Sequence, residues 1–263
     1  MKKITILNIL CAFAFLSIFA INLQADSSAI NWGLHYEKEG EIPIGNKPSE
    51  YLETYNAYFH GEFDNNKKVL YLTFDAGYEN GHTEKILDTL KKNNVPAAFF
   101  LVGTYLNTNT ELIKRMVDEG HIIGNHTVSH ADMTKKTTEE FGAELRRFEE
   151  IYESIIGTAA PKYYRPPEGT FSENNLVAAH EFGYETVLWS ATYADWDNKK
   201  QPSRADAFEK LMPRLHPGAI ILLHSTSATS TDILDELIAR CKDDGYEFRN
   251  IDEIIDRFGR VWD

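Results

Sequence analysis

The chain has 263 residues, of which 43% are hydrophobic and 12% aromatic. This composition suits one large or two small folded domains and excludes a disordered protein. The formal net charge of −13 argues against nucleic acid as a partner, and it means that an anionic polymer would have to be recognised locally.

The first 25 residues carry the pattern of an export signal. Lys2 and Lys3 precede an apolar run over residues 4–21, and Ala20 and Ala25 are candidate cleavage points. The run also approaches the roughly 20 residues of a spanning helix, so an uncleaved N-terminal anchor remains open. Either alternative places the rest of the chain outside the cytoplasm, as a secreted or membrane-anchored protein.

The two cysteines predict no internal disulfide. Cys11 lies in the export segment, and Leu10 precedes it where a lipoprotein signal requires a small residue, so lipidation is not expected. Cys241 then remains alone, within a helical pattern, and we expect it to be a small core residue.

Residues 26–66 are interpreted as an N-terminal arm. They are polar, with scattered aromatic residues and no regular hydrophobic periodicity, and we expect an extended segment with one short helix. From Lys67 onward, strand-length apolar runs alternate with amphipathic helical stretches, which predicts one domain over residues 67–263. Seven strands are predicted, at residues 69–74, 97–102, 121–125, 162–165, 186–190, 219–223 and 246–251.

The helices between these strands carry start and stop signals. Thr137 and Glu140 stand at capping-box spacing before an apolar stripe that Gly157 closes. Other predicted helices end at Gly120, Gly183 and Gly245. Strands that alternate with helices through short connections predict an α/β fold with parallel strands and outer helices, for which a barrel is the compact closure.

Ionisable residues follow the ends of five predicted strands. In parallel α/β barrels these ends form the catalytic cleft, so the convergence predicts an active site there. The residues, in chain order, are Asp75, the pair His126 and His130, Arg165, Asp195 with Trp196 beside it, and His224.

Each of these residues also has an ordinary structural interpretation. His126 and His130 are four apart and would share one face of a helical turn, which suits a metal ion, but two histidines alone are weak evidence. His224 could be a satisfied core histidine. Asp75 could cap the next helix, although that cap is expected near Thr83. Arg165 precedes two prolines, which favours a fixed position over a mobile one.

Five motifs in this order carry a resemblance to a known family. "TFDAG", "HTVSH", "RPPEG", "ADW" and "LLHS" resemble the polysaccharide deacetylases of carbohydrate esterase family 4, from about Lys67 to the C-terminus. "TFDAGYENG" and the upstream "INWG" resemble most the spore-cortex branch, which deacetylates N-acetylmuramic acid in peptidoglycan before muramic δ-lactam forms. The resemblance implies a deformed (β/α) barrel of about seven parallel strands that acts at the cell wall or spore cortex.

The resemblance implies a metal-dependent hydrolysis of the N-acetyl amide. His126 and His130 match the metal-binding histidines, and the metal would be divalent, with zinc expected. Asp75 matches the general base, and Arg165 matches the arginine that orients it. His224 matches the general acid that protonates the leaving amine.

Further residues of these motifs are expected around the substrate. Asp195 matches the carboxylate that raises the pKa of the acid histidine. Leu222 would help form a pocket for the acetyl methyl. Trp196 would form one side of that pocket and offer a face to a sugar ring. Tyr78, in the "GYENG" turn, is another candidate substrate contact.

Two residues depart from the family pattern. Ala76 stands where most members have a second aspartate that is the third metal ligand, so weak metal binding is expected. Glu168, a candidate substrate contact in "RPPEG", could serve an oxyanion through its backbone N–H, but its acidic side chain is awkward beside a lactyl carboxylate.

Two other functions remain open. The chain could deacetylate N-acetylglucosamine in peptidoglycan or a chitin-like polymer, or it could be a non-catalytic glycan-binding protein without a metal, which Ala76 favours. Peptidoglycan glycan strands are the expected partner. An amidase that first removes the stem peptides would be a second partner.

Overall fold

The structure is a computed structural model that describes residues 27–256, so the predicted export segment lies outside the described residues. None of the helices within residues 27–256 has the length and apolar character that crossing a membrane requires. The strands are β1 (Ile30–Asn31), β2 (Leu34–His35), β3 (Ile44–Gly45), β4 (Ala57–Tyr58), β5 (Val69–Ala76), β6 (Ala98–Leu101), β7 (Ile122–Asn125), β8 (Tyr163–Tyr164), β9 (Thr170–Phe171), β10 (Glu185–Val187), β11 (Ala191–Thr192), β12 (Ala219–His224) and β13 (Glu247–Phe248). The helices are α1 (Ser49–Glu53), α2 (Thr83–Asn93), α3 (Gly103–Thr108), α4 (Thr110–Asp118), α5 (Thr138–Ile156), α6 (Glu173–Glu181), α7 (Arg204–Leu211), α8 (Ala228–Asp243) and α9 (Asp252–Asp256).

A parallel sheet forms the centre of the molecule. Its strands follow the order β11-β12-β5-β6-β7-β8-β10-β4, and β13 pairs with the start of β5. An antiparallel bridge between His60 and Ala219 joins the segment after β4 to the start of β12, so the sheet curls back toward itself. All seven predicted strands form in this sheet, which confirms the deformed barrel with outer helices.

The core covers both faces of the sheet, and this arrangement positions Asp75. All eight residues of β5 are buried, as expected for a central parallel strand. On the helix side, Phe74 stacks on Phe99 with ring centroids 5.1 Å apart. Tyr71 and Phe100 belong to a second cluster on the opposite face. Because side chains alternate along a strand, Asp75 shares the face of Tyr71 and lies inside the barrel.

Local signals predicted the helix ends well. The capping box of Thr137 and Glu140 forms, and Gly157 ends α5 with a left-handed backbone (φ 84°). The expected cap near Thr83 comes instead from the carboxylate of Glu79, which accepts backbone N–H groups at the start of α2. Cys241 is buried in the core, as predicted.

The N-terminal arm packs on the barrel and contributes to its sheet. Its predicted short helix is α1, but β4 was not predicted, because two residues are too few to show a period. Ala57 and Tyr58 of β4 pair in parallel with β10. The indole N–H of Trp32 donates to the carbonyl oxygen of Trp189 at 3.0 Å, and the backbone N–H of Trp32 donates to the carbonyl oxygen of Gly169. The arm therefore supports segments on the side of the barrel that carries the strand ends.

Candidate active site

A cavity of about 940 Å³ opens at the carboxyl ends of the strands, where catalytic groups were expected. Most of the candidate residues line it, namely Asp75, Tyr78, His126, His130, Glu168, Trp196, Leu222 and His224. Arg165 and Asp195 are fully buried behind its wall and hydrogen bond to Asp75 and His224, respectively. The predicted site residues therefore come together at one place.

Asp75 is held by a buried arginine. Arg165, which is 0% exposed, donates from Nη1 to Asp75 Oδ1 at 2.8 Å and to Thr73 Oγ1 at 2.9 Å. Its Nε donates to the carbonyl oxygen of Val187, and its guanidinium lies 4.0 Å from the ring centre of Phe100. These contacts fix the guanidinium in one orientation, as the two prolines after it indicated.

The same contacts decide the protonation state of Asp75. Burial raises the pKa of its carboxyl group, but Arg165, with His126 and His224, lowers that pKa to below its ordinary value. Asp75 is therefore a carboxylate at neutral pH. Because Arg165 contacts Oδ1, the second oxygen Oδ2 remains directed toward the histidines.

His126 presents a bare ring nitrogen to this oxygen. Its Nδ1 lies 2.8 Å from the carbonyl oxygen of Arg165, which only accepts, so Nδ1 carries the proton. Burial lowers the pKa of His126 to about 4, which keeps the ring neutral. The lone pair of Nε2 therefore faces Asp75 Oδ2 across 3.6 Å. Two acceptors that face each other at this distance favour a cation beside them.

His130 lies next to His126, but not on a helical turn. Their ring centroids are 4.8 Å apart, and the loop between them has left-handed backbone at Thr127 (φ 65°) and His130 (φ 54°). Such backbone is uncommon outside glycine and must be held in place. Thr127 Oγ1 accepts the N–H of His130, and the Glu144 carboxylate accepts both the N–H and the hydroxyl of Ser129. The helical face suggested by the spacing is wrong, although the two rings do meet.

The residues around Asp75 and His126 offer donors that fit a divalent cation. No group of three or more His, Cys, Asp or Glu side chains within residues 27–256 is arranged to hold a metal ion. The bare Nε2 of His126 and the adjacent ring of His130 are two nitrogen donors, and Asp75 Oδ2 is the nearby oxygen. Ala76 lines the same cavity and adds no ligand.

His224 is held by a second buried carboxylate. It pairs in register with Asp75 on the adjacent strand. Its Nδ1 lies 2.7 Å from Asp195 Oδ1, and its backbone N–H donates to Asp195 Oδ2 at 2.8 Å. The hydroxyl of Ser230 donates to the same Oδ2 at 2.6 Å and lies 2.7 Å from the hydroxyl of Tyr193. Asp195 therefore directs the imidazole, whose Nε2 is left for the cavity.

The pKa of His224 is set by two opposed effects. Burial lowers it, but the carboxylate of Asp195 raises it to above the ordinary histidine value. The ring is thus a protonated donor over a wider pH range than a free histidine.

The remaining candidates form the cavity wall and mouth. Leu222 is 5% exposed, whereas Trp196 is 65% and Tyr78 56% exposed, so the two rings offer broad faces to a ligand. Asn198 donates to the hydroxyl of Tyr78, which joins the turn after β5 to the loop that carries Trp196. Glu168 has left-handed backbone (φ 56°) and an exposed side chain at the cavity edge.

Known proteins resemble this chain in both sequence and fold. Residues 63–187 match the family model for polysaccharide deacetylase. Over 250 residues, the chain is 40% identical to peptidoglycan-N-acetylmuramic acid deacetylase PdaA of Bacillus subtilis, and the match covers 94% of each protein. The chain belongs to the polysaccharide deacetylase family.

Other comparisons place this deacetylase among family 4 carbohydrate esterases. The structure of Bacillus subtilis PdaA, a member of that family, superimposes with a TM-score of 0.83 over 88% of this chain and 99% of the other, at 40% identity. The peptidoglycan-N-acetylglucosamine deacetylase of Bacillus cereus is 38% identical over 205 residues, which are 76% of this chain and 72% of that protein. A family 4 pseudoenzyme from Bacillus anthracis superimposes with a TM-score of 0.69 at 30% identity, over 75% of this chain and 68% of the other.

Sequence reasoning missed several polar residues that support the site of this deacetylase. Thr73 lies inside a quoted motif, two residues before Asp75, and strand alternation could have placed it on the same face. Ser230 and Glu144 lie on helices and reach the site only through packing, so no local signal identifies them. Arg214 also lines the cavity, although its surroundings in the sequence match none of the motifs.

Proposed function

We propose that this polysaccharide deacetylase hydrolyses the N-acetyl group of N-acetylmuramic acid in peptidoglycan, outside the cytoplasm and in preparation for muramic δ-lactam in the spore cortex. The observation that carries the proposal is the 40% identity to a named N-acetylmuramic acid deacetylase along 94% of both proteins. The geometry supports it, because a carboxylate base and a histidine acid line one cavity.

We assign the base to Asp75. Its Oδ2 takes a proton from water as the water oxygen bonds to the acetyl carbonyl carbon. Arg165 neutralises the other oxygen and keeps the pKa of the carboxyl group low, so the base is ionised before the reaction. A divalent ion at His126 and His130, with zinc the expected metal, would supply Lewis acidity toward the acetyl carbonyl when bound.

We assign the acid to His224. Its Nε2 gives a proton to the amide nitrogen as the carbon–nitrogen bond breaks, which yields acetate and a free amine on the sugar. Asp195 holds the opposite ring nitrogen and favours the protonated ring. Leu222 would contact the acetyl methyl, and the exposed rings of Trp196 and Tyr78 would contact sugars.

The alternative substrate is N-acetylglucosamine, which is favoured by the 38% identity to the named deacetylase of Bacillus cereus. We expect glycan strands without stem peptides to release acetate faster than chitin oligomers, because a lactyl-bearing sugar needs room and polar contacts that a chitin groove lacks. Acetate release from equal amounts of both substrates checks this. A rate on chitin oligomers that equals or exceeds the rate on glycan strands would favour the alternative.

The non-catalytic alternative rests on Ala76, and a substitution there tests metal binding. Ala76→Asp is expected to bind zinc more tightly than the wild type, because a carboxylate joins the two histidines. Ala76 is 3% exposed, so an unpaired carboxylate should also lower the melting temperature of the metal-free variant, and zinc should restore it.

Calorimetric titration and melting of metal-stripped protein give both readouts without reference to turnover. Ala76→Ser is the matched control, since it adds a polar atom without a charge. Equal zinc affinity in the wild type and Ala76→Asp would mean that Ala76 does not limit the site. Wild-type turnover that persists in chelator would contradict the metal assignment itself.

A further inference from the structure

One residue with a permanent positive charge lines the cavity of this acidic protein. Among the lining residues, Arg214 is the one arginine or lysine, whereas Asp75 and Glu168 are acidic. Arg165, although nearby, is fully buried and already neutralises Asp75. Arg214 is half-buried and reaches the cavity wall, so it is the lining group with a permanent positive charge.

Two contacts fix the position of Arg214. Its Nη1 donates to the carbonyl oxygen of Thr192 at 2.5 Å, and its guanidinium lies 4.3 Å from the ring centre of Tyr36 in the N-terminal arm. Thr192 pairs in register with Leu222, two residues before His224. Arg214 is therefore held on the wall that carries the acetyl-pocket and general-acid candidates.

Arg214 has no carboxylate partner among residues 27–256. Most other arginines there have one: Arg165 pairs with Asp75, Arg204 with Glu236, and Arg249 with Glu247. Arg214 contacts a carbonyl oxygen and an aromatic ring, and Glu37, Glu39 and Glu209, which line a neighbouring pocket beside it, form no ion pair with it. A planar guanidinium with spare N–H donors suits a carboxylate in particular.

We propose that Arg214 is the residue that binds the lactyl carboxylate of the substrate, so that it distinguishes a muramic acid with a free carboxylate from one whose carboxylate is amidated. The inference rests on the proposed function. N-acetylglucosamine carries a hydroxyl group at this position, and a stem peptide converts the carboxylate into a neutral amide. Tyr36 gives the N-terminal arm a part in this selection.

The test compares one sugar strand in two charge states. Peptide-free glycan strands are used with the lactyl carboxylate free, and again after its conversion to the methylamide. The wild type is expected to prefer the free acid by roughly 10- to 100-fold in kcat/KM, mainly through KM, because a charge-assisted hydrogen bond is lost in the amide. Equal values for the two strands in the wild type would overturn the proposal without any variant.

Variants then assign the preference to Arg214. Arg214→Gln should lose most of the preference, because its kcat/KM on the free-acid strand drops. Its kcat/KM on the methylamide strand should change by less than about twofold. Arg214→Lys keeps the charge without the planar fork and should retain part of the preference, so it serves if Arg214→Gln folds poorly. Arg240→Gln is the control, since Arg240 also stacks on a ring, that of Phe208, but pairs with Glu236.

The outcomes separate this proposal from the proposed function. An equal loss on both strands in Arg214→Gln would show a structural role for Arg214, and an undiminished preference would show that another group binds the carboxylate. Either result overturns the inference and leaves the proposed function standing. If wild-type protein releases no acetate from muramic acid in either form, the proposed function itself fails.

Discussion

Asp75→Asn is expected to lower acetate release by at least about a thousandfold, because an amide oxygen cannot take the proton from water. The fold should persist, since the asparagine oxygen can still accept from Arg165. Stability should fall by about 3–5 kcal/mol, because the buried guanidinium of Arg165 loses its counter-charge. Turnover measured beside circular dichroism and thermal melting separates the two effects.

The control for this variant is Asp88→Asn. Asp88 also pairs with an arginine, Arg115, but its side chain is 70% exposed and lies outside the cavity lining. Both turnover and melting should stay close to wild type. A folded Asp75→Asn protein with near-normal turnover would contradict the assignment of the base.

The pH dependence of stability gives an independent check on Asp75. Its pKa in the folded protein lies below the ordinary value, so the unfolded chain binds the proton more readily. The stabilisation is therefore present above the ordinary pKa and is lost as pH falls through the folded pKa. Asp75→Asn should lack this acid-side loss.

His224→Ala is expected to lower turnover by about 10²- to 10⁴-fold, the usual contribution of one acid–base group. The leaving amine then has no positioned proton donor, while Asp75 is unchanged. His180→Ala is the matched control, because His180 is an exposed histidine on α6 and does not line the cavity. Near-normal turnover in folded His224→Ala would remove His224 from the reaction.

Asp195→Asn is expected to change the pH dependence of turnover, because Asp195 sets the pKa of the general-acid candidate His224. The carboxylate raises the pKa of His224 against the effect of burial, so its loss should move the alkaline limb of the kcat profile to lower pH. The contribution of this pair to the stability of the fold should also be lost on the alkaline side. The His224–Asp195 stabilisation is complete below the ordinary histidine pKa and is lost as pH rises through the raised one. An unmoved alkaline limb would contradict the role of Asp195.

Elements with strong local signals were predictable from the sequence. β5 is a buried run of eight residues that ends on Asp75 and Ala76, and α5 carries a complete capping box, so both could be placed from adjacent residues. Short strands such as β4 and β11 have two residues each and depend on neighbours in the sheet. Their formation is decided by tertiary packing and not by a period.

The site was predictable to the extent that its residues stand in motifs at strand ends. Ser230 supports Asp195 from 35 positions away in the chain, and Glu144 on α5 holds the loop of His130 by accepting from Ser129, 15 positions before it. The position of Arg214 depends on a ring of the N-terminal arm. Contacts of this kind arise only after folding, because neither partner marks the other in sequence.

The most direct measurement is the position of the acetyl group that is lost. Purified protein with zinc is incubated with peptide-free glycan strands, the strands are cut into disaccharides, and tandem mass spectrometry assigns each acetyl group to its sugar. Loss of one acetyl group from muramic acid, with N-acetylglucosamine intact, is the predicted result. Loss from N-acetylglucosamine with muramic acid intact, or no loss from either sugar, would contradict the proposed function.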